Sequence, residues 1–331
     1  MQLDQLNRRE FIAFLASGAV AWPVVAFAQP ARMPVIGLLD VGSAADRTHA
    51  VVSFKRGLAE AGYVEGQNAA FEFRWGDNQF DRLPTLVADL IDRKVAIIAA
   101  FGNAAALAAK AATGTIPEVF SGSSDPVAIG LTTNLIQPDR NITGVTILNQ
   151  EFETTRLERL IQVIPQANTI AFLVNPDSLT MTAKLREVEG AARAFGKQLH
   201  VLNARTAQQF EGVFAAVERQ RIGAMVVASD TVFSNTSGEL GRVTTRHAVP
   251  VIGAYRPFVQ AGGLMSYGTD LADAYRRVGR SAARILKGEK PGDVPVQQST
   301  KVEFVINLRT ANALGLTIPT SLRAIADEVI E

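Results

Sequence analysis

Short apolar runs alternate with longer segments of helical spacing along nearly the whole chain, and this alternation limits the fold more than any other feature. Residues 34–39 form a compact apolar run. Val51, Phe54, Leu58 and Ala61 then recur at helical spacing over 46–61, and Gly62 is placed to stop that helix. Phe71, Phe73 and Trp75 alternate with Glu72 and Arg74 as in a strand. A helical stripe follows from Phe80 to Ile91, then a strand at 95–100, an alanine-rich helix at 104–111 and a strand at 116–120. After an irregular stretch, strands at 142–147, 169–174, 199–202, 224–228 and 250–252 alternate with helical stripes ending near 164, 195, 217 and 247. A tail adds a strand at 262–267, a helix at 271–286 and a strand at 302–306. Strands separated by helices call for parallel sheets with crossover connections.

The chain has 331 residues, more than one hydrophobic core usually organises. Two rounds of βα units followed by a tail that revisits both predict an α/β protein of two doubly wound lobes with several hinge crossings. The expected boundaries are a signal peptide at 1–28, a first lobe at 32–145 plus about 255–290, and a second lobe at 146–254 plus about 300–331.

The first 28 residues carry a different message. Arg8 and Arg9 precede an apolar run that ends in Ala26, Phe27 and Ala28. A charged start, an apolar middle and small residues two apart are the parts of a signal peptide. The paired arginines are similar to a twin-arginine export signal. Cleavage after Ala28 would leave Gln29 first. A membrane anchor is the rival reading, but Gly18, Pro23 and the Ala-Phe-Ala end suit cleavage better. No later segment keeps about 18 apolar residues together, so the mature protein is expected to be soluble and not membrane-embedded.

Charge and cysteine content exclude several functions. With 33 basic and 32 acidic side chains the net charge is +1, which gives no electrostatic reason to expect nucleic acid or an anionic membrane as partner. Without cysteine there is no disulfide, thiolate metal site, cysteine nucleophile or lipid-modified cysteine. His49, His200 and His247 show no metal-ligand spacing. A triphosphate loop, a dinucleotide fingerprint and a Gly-x-Ser-x-Gly nucleophile elbow are all missing. The expectation is therefore a non-enzyme without metal or cofactor, a periplasmic enzyme being the less favoured alternative.

In open α/β sheets, ligands bind outside the carboxyl ends of the strands. Reading onward from each strand gives Asp40 and Ser43, then Trp75 and Asp77, then Asn103, then the run from Ser121 to Asp125. The second set gives Asn175, Asp177, Ser229 and Asp230, with Tyr255 and Tyr267 in connecting segments. Hydroxyls, amides, carboxylates and rings together suit a zwitterion with an apolar or planar side group. Taken singly, each polar residue is also accounted for as a turn or cap residue, and each ring as core.

The segment from Val119 to Val127, running on to Asn141–Val145, is similar to the ABC-transporter substrate-binding family that includes tryptophan- and tyrosine-binding proteins. So are Gly262–Gly268, Phe304–Leu308, Ala313–Pro319 and Ala326–Ile330. The resemblance spans essentially the whole mature chain. It implies a type I periplasmic-binding fold, two Rossmann-like lobes joined by three crossovers that close on a ligand. By the same resemblance Ser43, Asn103, Ser121, Asp125, Asn175, Asp230, Tyr255 and Tyr267 are the expected cleft contacts, and strand-end chemistry adds Trp75. The implied role is a monomeric periplasmic receptor that delivers a small-molecule solute, of aromatic or hydrophobic amino-acid type, to an ABC permease and its ATPase. A ligand-sensing partner of a membrane receptor is the alternative on the same fold. Two departures stand out. Many relatives are lipoproteins, which this cysteine-free chain cannot be, and relatives often have glycines where Asp139 and Arg140 stand.

Overall fold

Among the described residues, thirteen strands carry the architecture that the alternation requires. The computed structural model describes residues 33–139, 141–147, 152–178 and 180–331, so Arg8, Arg9 and Ala28 lie outside the described residues. The strands are β1 (Val35–Asp40), β2 (Ala70–Trp75), β3 (Ile97–Phe101), β4 (Glu118–Gly122), β5 (Ile142–Thr146), β6 (Thr169–Val174), β7 (Gln198–Asn203), β8 (Ala224–Val227), β9 (Val251–Gly253), β10 (Met265–Thr269), β11 (Gln297–Gln298), β12 (Val302–Asn307) and β13 (Glu328–Ile330). They form a six-stranded sheet of order β11-β5-β4-β3-β1-β2 and a seven-stranded sheet of order β13-β12-β10-β9-β8-β6-β7. Every pairing in the first sheet is parallel, and in the second only β10 with β12 is antiparallel. The result is the expected pair of α/β lobes.

Both faces of the first sheet are covered, as parallel sheets require. Ile36, Leu38, Ile97, Ala99 and Phe101 face one core cluster, while Leu39, Ile98, Ala100 and Phe120 face another. That is the period-2 alternation of a strand, with an apolar residue at each step because neither face meets water. The second lobe has one large cluster built on Phe172, Phe210, Phe214 and Phe304.

Helix Leu271–Leu286 lies directly on helix Thr48–Glu60, and two glycines permit the approach. A Cβ at Gly57 would collide with the Arg276 carbonyl oxygen, and one at Gly279 with the Phe54 carbonyl oxygen. Small residues at both crossing points let the backbones touch.

The chain passes between sheets after β5, between Thr269 and Leu271, and between β11 and β12. The sequence reading placed everything from about 255 to 290 with the first lobe. Instead β10 pairs with β9 and β12 in the second sheet, and only the following helix returns to the first. The error has a physical source. Ala254 and Tyr255, which directly follow β9 of the second sheet, pack into the first lobe's core. The pair Thr206 and Gln209 has the spacing of a capping box but does not form one: Gln209 Oε1 accepts from Arg205 N at 2.6 Å, and Thr206 makes no side-chain cap.

Candidate functional site

The carboxyl ends of strands from both sheets line a single cleft of about 370 Å³, within the usual size range for small-molecule sites. The first lobe supplies Arg47, the start of helix Asn103–Ala112, the loop Ser121–Ser124, and Tyr275. The second supplies Asn175, Asp177, Lys184, Ser229, Asp230, Asn235 and Tyr255.

On the first wall, Asp40 ends β1 fully buried, accepting from Gly42 N at 2.6 Å and pairing with Arg47 Nε at 2.7 Å. Arg47 Nη1 donates to the Tyr275 hydroxyl at 3.3 Å. Burial raises the Asp40 carboxyl above its ordinary value, against the opposing charge of Arg47. Gly102, at φ 90°, turns the chain sharply into helix Asn103–Ala112, whose first turn has no side-chain cap. Its free N–H groups lie at the cleft, a ready site for a carboxylate. Asn103 Nδ2 donates to Ser124 Oγ at 2.7 Å, fixing the adjoining serine loop.

On the second wall, Asp230 caps helix Thr231–Asn235. Its Oδ1 accepts from Val232 N at 2.8 Å and from Asn175 Nδ2 at 3.1 Å. Beneath it lies a buried ionic cluster. Arg156, wholly buried, donates to Glu153, to Ser229 Oγ at 2.8 Å and to the Tyr267 carbonyl at 2.8 Å. Lys184 donates to the Ser229 carbonyl and stands 3.5 Å from Glu153. Burial pushes the Lys184 ammonium below its ordinary value, partly offset by Glu153. The cluster ties the end of β8 to the helix after the first crossing and to the strand before the second.

Asn103, Ser121, Asn175, Asp230 and Tyr255 thus come together at the cleft. Four others do not line it. Ser43 donates to Asp46 at 2.6 Å. Trp75 stacks on Phe73 at 6.0 Å along the flank of the first core. Asp125 is exposed and caps its own turn, accepting from Val127 N at 2.9 Å. Tyr267 packs against Phe304 in the second lobe, with Arg159 over its ring. Lys184 and Tyr275 were missed because they sit on helices, and Arg47 because it sits in the turn that starts one, where a charged or aromatic residue reads as surface or core.

Comparison with known proteins settles the class. The family model described as ABC transporter substrate binding protein matches residues 35–330. The chain belongs to that family. This substrate-binding protein is 23% identical over 263 residues to a tyrosine-binding protein of Clostridioides difficile, covering 80% of this chain and 75% of that one. Among solved structures it is similar in fold to a conserved domain protein of Vibrio cholerae, with a TM-score of 0.78 and 22% identity over 90% of this chain and 100% of that one. It is also similar to an ABC domain from Streptococcus pneumonia in complex with L-Trp, with a TM-score of 0.77 and 23% identity, covering 90% and 99%. Among the described residues of this substrate-binding protein, no helix is long and apolar enough to cross a membrane.

Proposed function

We propose that this protein is the periplasmic receptor of an ABC importer and holds a small zwitterion, an aromatic or hydrophobic amino acid, between its lobes. One observation carries the reading: the same cleft contains an uncapped helix start on one wall and a carboxylate, Asp230, on the other. The first suits a carboxylate, the second an ammonium. A ligand bridging them favours the closed form, because only there does it touch both walls. The tyrosine-binding relative and the L-Trp complex support the aromatic class. Arg8, Arg9 and the run to Ala28 support export without lipidation. The permease and its ATPase then recognise the closed shape, and no cofactor takes part.

A thermal-shift screen of the mature protein against the amino acids, with mass spectrometry of co-purified solute, tests this. Stabilisation by aromatic or large aliphatic amino acids, confirmed by calorimetry, is the expected result. No shift with any amino acid and a co-purified solute of another class would overturn it.

A further inference from the structure

The aromatic residues singled out from the sequence do not supply an open ring to the cleft. Trp75 and Tyr267 pack elsewhere. Tyr255 and Tyr275 reach the cleft but are only 8% and 4% exposed, and the Tyr275 hydroxyl is engaged by Arg47. Phe80 differs from all four. It lines the cleft and is 53% exposed, a large apolar ring facing water where a polar residue would cost nothing.

Its support is unusually firm for a loop. Asp77 and Asn78 both take left-handed backbone, with φ of 51° and 62°, which Asp and Asn tolerate better than other non-glycine residues. Asp77 N donates to the Gly42 carbonyl at 3.2 Å, and Asn78 N to the Val41 carbonyl at 2.6 Å. Gly76 meets the same segment so closely that a Cβ would stand 2.9 Å from the Val41 oxygen. Arg82 Nη1 closes the loop on Asp77 at 2.7 Å. Two consecutive left-handed residues, clamped onto the chain that leads to Arg47, hold one exposed ring at the rim of the cleft.

We propose that Phe80 is the specificity-determining ring of this receptor, stacking on the planar or apolar side group of the bound solute and leaving water when the lobes close. The inference rests on the amino-acid reading above and deepens it. Polar groups on the two walls hold the carboxylate and ammonium, which all amino acids share. Phe80 selects among them by the remainder.

The test is titration calorimetry of wild-type, Phe80→Ala, Phe80→Tyr and Asp230→Asn proteins with L-tryptophan, L-tyrosine, L-leucine and L-alanine. Phe80→Ala is expected to weaken the aromatic ligands about tenfold. It should leave L-alanine within about twofold, and Phe80→Tyr should restore aromatic affinity. Because the ring is half exposed, the folded state should survive its removal, which melting curves verify. If the aromatic ligands bind wild type and Phe80→Ala equally, or if Phe80→Ala weakens all four alike, the assignment of Phe80 fails while the amino-acid reading stands. If wild type binds none of the four, both fall.

Discussion

Asp230 decides between a cap and a ligand contact, and Asp230→Asn separates the two. Oδ1 already serves Val232 N at 2.8 Å and Asn175 Nδ2 at 3.1 Å. Oδ2 has neither of these bonds and remains for a ligand ammonium. Asparagine caps helices about as well as aspartate, so the substitution keeps the capping bond and removes only the charge. Stability should therefore change by no more than about 0.5 kcal/mol. A hydrogen bond to a charged group contributes about 1.5–3 kcal/mol, so affinity should fall between about ten- and a hundredfold. Alanine would confound the two, since losing the cap alone costs about 1 kcal/mol. The assay is calorimetric titration with the amino acid that gives wild type its largest thermal shift, beside a denaturant curve for each protein. Unchanged affinity at unchanged stability would refute the reasoning and reduce Asp230 to a cap.

Three predictions concern the scaffold. Gly57→Ala forces apart helices Thr48–Glu60 and Leu271–Leu286 and should cost about 1–3 kcal/mol in urea unfolding, whereas Val52→Ala on the exposed face of the first helix should cost little. Glu118 is fully buried with both carboxyl oxygens unbonded, and burial raises its carboxyl well above the usual range despite Lys110, so its stabilising neutral form is fully present below about pH 4.5 and is lost as pH rises through the folded value. Glu118→Leu should raise the melting temperature at neutral pH and remove a slope of up to about 1.4 kcal/mol per pH unit above pH 4.5. His49 is held down to about 4 by burial and then by Arg47, so the native state resists its protonation and stability should fall as pH drops from about 6.5 towards 4. His49→Gln should flatten that acid limb in melting curves taken across the range.

The repeated βα pattern was legible because burial on both sheet faces writes long, regular apolar periods. Helix Leu271–Leu286 and strand Thr169–Val174 fall where the spacing placed them. The short strands Gln297–Gln298 and Glu328–Ile330 carry no period, and they escaped. Helices Arg256–Gln260 and Leu308–Ala313 were hidden by the same brevity. For the site, a position after a strand was enough to find Asn103, Ser121, Asn175 and Asp230, because the backbone itself delivers those residues to the sheet edge. It failed for Trp75, which continues the Phe71 and Phe73 face along the flank of the core. Phe80 was read as the first member of a helical stripe, and only the left-handed turn at Asp77 and Asn78 lifts it off that face.

The charges on the cleft walls bear on what kind of solute fits. Asp40 and Arg47 neutralise each other, and so do Asp177 and Arg205 at 3.0 Å. Glu153 is matched against both Arg156 and Lys184, which leaves one positive charge over, and Asp230 supplies one negative charge. These charges therefore sum to neutrality, with the surplus positive charge of the cluster beneath Asp230 on the same wall. A solute with net charge would add an uncompensated ion to a space from which closure removes water, at a cost that grows as the local dielectric falls. A zwitterion adds none, and its two ends match the free N–H groups at the start of helix Asn103–Ala112 on one wall and Asp230 on the other. The buried Asp40–Arg47 pair and the Glu153–Arg156–Lys184 cluster tie strand ends to neighbouring segments, so these charges are fixed by the fold before any ligand arrives. On the proposed amino-acid reading, this charge balance is expected to favour zwitterions over anions or cations of similar size.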